Sequence, residues 1–189
     1  MQDASRYSGV AIFLHWLVAA FVLALLVIGP VMTDLTPGSH LQFFLYQLHK
    51  SFGFTVLLLA VLRLSWRLTH RPPALPASMP QWEQRVAHLG HWALYGLLFL
   101  LPLEGWAVVS ASVYNIPTVL YGVLPVPHLP ILSTLPDKKP VFEALATLHS
   151  GTATLLMIVL AGHAGAALRH HVLLKDDVLR RMLPRWIKL

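Results

Sequence analysis

Two histidines, His149 and His163, lie fourteen residues apart in an otherwise apolar stretch, Leu145–His171. At 100° per residue, fourteen steps complete four helical turns less about 40°, so both imidazoles project from nearly one face, about 21 Å apart along the axis. In a hydrocarbon core about 30 Å thick, that separation puts them near opposite edges. An ionisable ring inside a membrane span is costly and marks a functional site. Two on one face, at two depths, imply two stacked cofactors.

Partners exist at the matching depths. His15, followed by Trp16, lies early in the first apolar stretch, and His49 opens the second. Because successive spans run in opposite directions, His49 pairs with His149 on one side and His15 with His163 on the other. A pair of imidazoles from two helices can clamp a flat macrocycle, one on each face of a six-coordinate iron. The helical stripes agree: His49, Gly53, Val56, Ala60, Arg63, Arg67 on one helix, and His149, Ala153, Leu156, Leu160, His163, Ala167 on the other. Gly53 and Ala153, one turn from a histidine, leave room for a ring.

Other polar residues are placed less decisively. His88 and His91 open the third stretch, with Tyr95 a turn beyond His91, and they rival His15 as ligands. Trp16, His88, His91, Tyr95, His170 and Lys175 are candidates for contacting a quinone or a haem propionate. Arg63, Arg67 and Arg169 are placed to neutralise propionates, although anchoring on the cytoplasmic side explains them equally. His40, His70 and His128 read as solvated loop residues. Glu104 is the one acid embedded in a span, with a proton relay as one possible role. The chain has no cysteine, which removes thiolate-held clusters, covalently attached haem and thiol catalysis. Zinc sites use three or four protein ligands, more than two histidines per depth provide. No triad, phosphate loop or paired-carboxylate site is present.

The elements that must position these residues follow from composition. Of 189 residues, 56% are hydrophobic and 12% charged, and the mean hydropathy is +0.63. Soluble domains carry about 25% charged residues. Four stretches reach the roughly 20 residues that a membrane helix needs: 9–32, 49–68, 88–112 and 145–171. The expectation is an all-α membrane protein, one domain over residues 1–189, folded as a four-helix bundle. Within the connection Thr33–Gln47, the segment Leu41–Tyr46 reads as an amphipathic piece lying in the membrane interface. Pro102 predicts a kink. The proline-rich connection 113–139 is long enough to be a functional cap.

Basic residues fall mostly on one side. Arg6, Arg63, Arg67, Arg71, Arg85, Arg169, Lys175, Arg180, Arg181, Arg185 and Lys188 face only Lys50, Lys138 and Lys139 opposite. By the positive-inside rule both termini are cytoplasmic. The net charge of +6 therefore reads as lipid anchoring rather than nucleic-acid binding.

With the histidines placed, the chain resembles the bacterial cytochrome b561 family over nearly its whole length. The likeness rests on Ser8 to Trp16, Leu48-His49-Lys50-Ser51-Phe52-Gly53, Ala87-His88-Leu89-Gly90-His91 and Leu101-Pro102-Leu103-Glu104-Gly105. It continues through Leu148-His149-Ser150-Gly151, Gly162-His163 onward, and the tail Lys175 to Arg185. The resemblance implies a four-helix inner-membrane protein with two b haems, and axial ligands His15, His49, His149 and His163. Within the family the chain is most similar to the compact superoxide oxidase branch, which passes electrons from periplasmic superoxide to ubiquinone. In that reading Lys50, Lys138 and Lys139 form the approach for an anionic substrate. Two alternatives stay open: a cytochrome b subunit linking the quinone pool to a dehydrogenase or periplasmic redox partner, and a haem-free transporter or metal-binding membrane protein.

Overall fold

A computed structural model describes residues 6–76, 79–184 and 186–187. Arg185 and Lys188 of the basic tail lie outside the described residues. Four long helices dominate: α1 (Gly9–Asp34), α2 (His40–Thr69), α3 (Gln81–Ser110) and, after a hairpin of β1 (Thr118–Leu120) with β2 (Leu124–Val126) and a short α4 (Pro130–Ser133), α5 (Lys139–Arg169). All four long helices are apolar and long enough to cross a membrane. The chain alternates direction, so one end of the bundle carries both termini and the other carries the hairpin.

Local chemistry sets the helix limits. Ser8 begins α1, its hydroxyl accepting from Ala11 N–H at 3.3 Å, which satisfies one of the orphan donors of the first turn. The same oxygen accepts the Trp66 indole N–H at 3.0 Å, tying the start of α1 to the end of α2. Ser39 begins α2 in the same way, accepting from Gln42 N–H. The Gln42 amide then donates to the carbonyls of Met32 and Leu35 and accepts from Gly38 N–H. Gly38 turns the chain at φ +77°, a conformation open to glycine because it lacks a Cβ.

These contacts correct the sequence reading of Leu41–Tyr46. That segment, read as part of the connection before the second span, is the first part of α2, because Ser39 and Gln42 close the helix start ahead of it. Likewise α3 starts at Gln81, before His88. It continues through Pro102, as α1 does through Pro30; each proline costs one backbone hydrogen bond. The long connection holds a two-stranded antiparallel sheet, an addition to the all-α expectation. Its register is Thr118↔Val126, Val119↔Pro125 and Leu120↔Leu124.

Packing runs in sequence: α1 on α2, α2 on α3, α3 on α5. Helix α5 has no comparable interface with α1 or α2. A shared core of Leu14, Val18, Val22, Val56, Leu59, Ala60, Leu97, Leu98 and Leu156 fills the centre of the bundle. Leu156 lies seven residues from each of His149 and His163, so it separates the two histidine levels.

Candidate functional site

The gap between α5 and the α1–α2 pair is bridged by histidine rings. At the hairpin end, His49 of α2 faces His149 of α5 with ring centroids 6.3 Å apart. At the terminal end, His15 of α1 faces His163 of α5 at 6.2 Å. A metal bound to two imidazole nitrogens at about 2.0 Å, each about 1.2 Å from its ring centre, separates the centroids by about 6.4 Å when the nitrogens are opposed. Both pairs have the spacing for one metal ion between them.

The hairpin-end pair is held from behind. A Cβ at Gly29 of α1 would lie 3.6 Å from His49 Cε1, and one at Gly105 of α3 would lie 3.4 Å from His149 Cε1. Each imidazole therefore rests on a glycine of the neighbouring helix. The Nδ1 atoms of both rings are buried without a hydrogen-bond partner. Gly53 has open space where a Cβ would be. With Ala153, Leu97, Leu98 and the two histidines, it lines an apolar cavity of about 170 Å³.

One carboxylate belongs to this site. Glu104 of α3 is buried, accepts from Thr152 Oγ1 at 3.1 Å, and holds its Oε2 3.9 Å from His149 Nδ1. That Oε2 has no hydrogen-bond partner. An acid beside the rear nitrogen of a ligand-type histidine orients the ring and raises its basicity.

The terminal-end pair is more polar. Arg63 lies 2.9 Å from His15 Nδ1. A guanidinium is only a donor, so His15 Nδ1 must accept, which leaves the proton of a neutral ring on Nε2. Ligation through Nε2 would require Arg63 to release this bond. His91 is a third ring here, 5.5 Å from His163. Arg63 lies over the Tyr95 ring at 5.4 Å, and Arg67 lies over Tyr95 and Trp92 at 5.8 and 6.0 Å. Arg63, Arg67, His91 and Tyr95 line a cavity of about 550 Å³ with Arg6, Arg71, His70 and Met182, and no acid is among its lining residues.

The remaining candidates fall elsewhere. Trp16 packs edge-on against His15 at 5.3 Å and donates its indole N–H to Met182 O at 2.8 Å. Arg169 pairs with Glu83 Oε1 at 2.6 Å. His170 is buried between Asp176 Oδ2 at 2.5 Å and Glu83 Oε1 at 3.3 Å. Both are thereby committed to fastening the end of α5 to the start of α3. His88 is exposed, and Lys175, at φ +53°, closes the turn after α5. None of these five lines the polar cavity. His70, read as a plain solvated residue, stacks on Trp66 at 3.7 Å and borders that cavity. His40, read as a loop residue, is the first residue of α2.

At the hairpin end, the Lys50 ammonium donates to Pro117 O at 3.0 Å and also lines the apolar cavity. Lys138 donates to Asn115 Oδ1 at 2.6 Å. Lys139 begins α5 with its side chain exposed. Gly29, Gly105 and Thr152 are the site residues that sequence reasoning missed. The only available signal for Gly105 was its place beside Glu104; nothing in the order of residues pairs Gly29 with His49. Among the described residues no cluster of three or more His, Cys, Asp or Glu side chains could hold a bare metal ion.

A membrane helical bundle with imidazoles facing one another across its interior is the architecture of a haem-binding electron carrier. A profile described as "Prokaryotic cytochrome b561" matches residues 6–185, and the chain belongs to that family of membrane-embedded, b-haem-binding electron-transfer proteins. It is 32% identical to Cytochrome b561 homolog 2 of Escherichia coli (strain K12) over 179 residues, covering 94% of this chain and 91% of that one. Cytochrome b561 homolog 1 of the same organism is 28% identical over 181 residues, covering 96% and 98%. A protein of Yersinia pestis named Probable superoxide oxidase CybB is 32% identical over 187 residues, covering 95% and 97%. The protein is thus a bacterial membrane protein with an oxidoreductase or electron-transfer role.

Proposed function

We propose that the chain carries two b haems, one between His49 and His149 and the other between His15 and His163. We further propose that it moves electrons across the bacterial inner membrane from periplasmic superoxide to ubiquinone. The observation that carries this reading is the matched spacing of the two ring pairs, 6.3 and 6.2 Å, at two levels of one helix. The likeness to a probable superoxide oxidase supports the choice of donor.

The haems supply reversible one-electron storage, and the chain's own residues do the rest. Helix α5 presents one imidazole to each level, about 21 Å apart along its axis. Leu156 and its neighbours keep the interval dry. Lys50, at the rim of the hairpin-end cavity, attracts an anion such as superoxide from the periplasm. Lys138 and Lys139 extend this field.

At the terminal end, Arg63 and Arg67 line the cationic cavity and would hold propionates there. His91 and Tyr95 are placed to contact a quinone there. Two superoxide anions each lose one electron to become O2, and one ubiquinone takes up two electrons and two protons. The concentration of basic residues at the terminal end supports a cytoplasmic location for both termini. The whole chain then acts as one membrane domain.

The test combines haem stoichiometry with stopped-flow reduction of the purified protein by superoxide, with and without quinone. Two haems per chain, reduced rapidly by superoxide and reoxidised when ubiquinone is added, are the expected result. Haems indifferent to superoxide but reduced by quinol would replace this reading with that of a cytochrome b subunit. His91→Ala and His15→Ala address the pairing directly. The proposal requires His15→Ala to lose one haem and His91→Ala to keep both, and the reverse outcome overturns it.

A further inference from the structure

The hairpin does not rise away from the bundle; it descends along α2. Gln47 accepts from Val119 N–H and donates to Pro117 O, and Lys50 donates to the same carbonyl. Further along the helix, Ser51 Oγ accepts from Tyr121 N–H at 2.9 Å, and the Tyr121 hydroxyl bonds Thr55 Oγ1 at 2.5 Å. The chain thus passes from Gln47 at residue 117 to Ser51 and Thr55 at residue 121. At 1.5 Å per residue, Ser51 and Thr55 lie about 3 and 9 Å beyond His49, toward the membrane centre.

Helix α1 calibrates that depth. Gly29 of α1 stands level with His49, with the exposed apolar residues Val27 and Val31 on either side of it in sequence. The first charged residue of α1 beyond Gly29 is Asp34, about 7.5 Å further out. Measured along α1, the turn at Tyr121-Gly122 is therefore inside the apolar belt of the bundle; the one charge of α2 at this level, Lys50, is capped by the Pro117 carbonyl of the hairpin.

Its chemistry suits that depth. From Gly105 to Pro136 the sequence has no Asp, Glu, Lys or Arg. Val123 is 83% exposed and Leu124 59%, so beyond the anchored Tyr121 the tip presents apolar side chains away from the bundle. Backbone groups in hydrocarbon must be satisfied internally. Here Gly122 N–H donates to Val119 O and Val123 N–H to Leu120 O, while Ser51 and Gln47 take the N–H groups facing α2.

We propose that the β1–β2 hairpin is a lipid-inserted element whose tip, Tyr121 to Leu124, lies in the acyl-chain region of the leaflet at the hairpin end. Its docking on α2 places the Pro117 carbonyl where it holds the Lys50 ammonium. The proposal rests on hydrogen-bond register and apolar exposure, and it stands whether or not the donor is superoxide.

The chain lacks cysteine, so single thiols report without background. Val123→Cys, Leu124→Cys, Val27→Cys as lipid reference and Lys139→Cys as aqueous reference are reconstituted with haem in phosphatidylcholine–phosphatidylglycerol vesicles. Each is treated with a membrane-impermeant maleimide; each is also labelled with bimane before reconstitution, alongside vesicles containing phospholipid spin-labelled near the top of the acyl chain. Apolar surroundings disfavour the reactive thiolate, so maleimide should react at Val123 and Leu124 at least about tenfold more slowly than at Lys139. Their bimane emission should be quenched by the spin-labelled lipid, as at Val27. Maleimide reaction as fast as at Lys139, without lipid quenching, overturns the proposal and assigns the apolar tip to a water-exposed partner surface.

Discussion

Glu104 offers a direct reading of the hairpin-end site through Glu104→Gln, which keeps shape and hydrogen-bonding capacity but removes a carboxylate charge. The Oε2 atom lies 3.9 Å from His149 Nδ1. An iron bound at the opposite nitrogen would be about 4 Å further on, so charge and metal are about 8 Å apart. A unit charge at that distance contributes about 2 kcal/mol at an effective dielectric of 20 and about 0.5 kcal/mol at 80. At 59 mV per 1.4 kcal/mol for one electron, these become about 90 and 20 mV. A nearby negative charge opposes reduction, so its removal raises the potential. Equilibrium redox titration of the α bands should show one haem shifted upward by about 20 to 90 mV. The other, about 21 Å away along α5, should move by less than half as much. An unmoved pair would mean that Glu104 carries no charge, and a downward shift would contradict its placement; either result refutes the reasoning.

Further predictions concern sterics, pH and encounter. Gly105→Leu must push the His149 ring, because even a Cβ would lie 3.4 Å from Cε1, and ligation tolerates only about 0.2 Å; pyridine haemochrome assay should find one haem lost, with both retained in Gly105→Ala. Burial would raise the Asp176 carboxyl, but hydrogen bonds from His170 and Val178 N–H, with the nearby charges of His170 and Arg181, outweigh it and hold the group below its usual range. A depressed carboxylate stabilises above its unfolded value of about 3.9 and loses that contribution as pH falls through the folded value. Tail docking should therefore be intact from neutral pH to about pH 5 and weaken below about pH 4, seen as faster hydrogen exchange at residues 176–182, and Asp176→Asn should abolish this acid dependence. Lys50→Gln should slow reduction by superoxide several-fold at low ionic strength, with the difference vanishing in high salt as the charge is screened.

Much of the architecture was readable from residue order because a bilayer tolerates few solutions. Backbone groups in hydrocarbon must bond within their own segment, so long apolar runs can only be helices. Ends were less legible: the beginning of α2 depends on Ser39 and on Gln42 reaching back across the turn, and α3 gains two turns before His88. The hairpin was illegible, since Thr118–Leu120 and Leu124–Val126 are too short for periodicity to show. Its position depends on side chains of α2, about seventy residues earlier in the chain.

The sites divide in the same way. Periodicity along α5 fixes the common face and separation of His149 and His163, because both are properties of one helix. Nothing in a single helix decides which ring stands opposite, and packing brings both His15 and His91 within 6.2 Å of His163. Arg169 and His170 looked like site residues by position, yet Glu83 and Asp176 claim them, because an ion pair forms with whatever charge the fold brings near. The sequence alone determined that this is a membrane bundle with histidines at two depths. Only the tertiary structure decided that α5 stands apart from α1 and α2 with rings spanning the gap, that Gly29 and Gly105 support those rings, and that Glu104 lies behind one of them. These are contacts between helices, and their geometry exists only once the helices have packed.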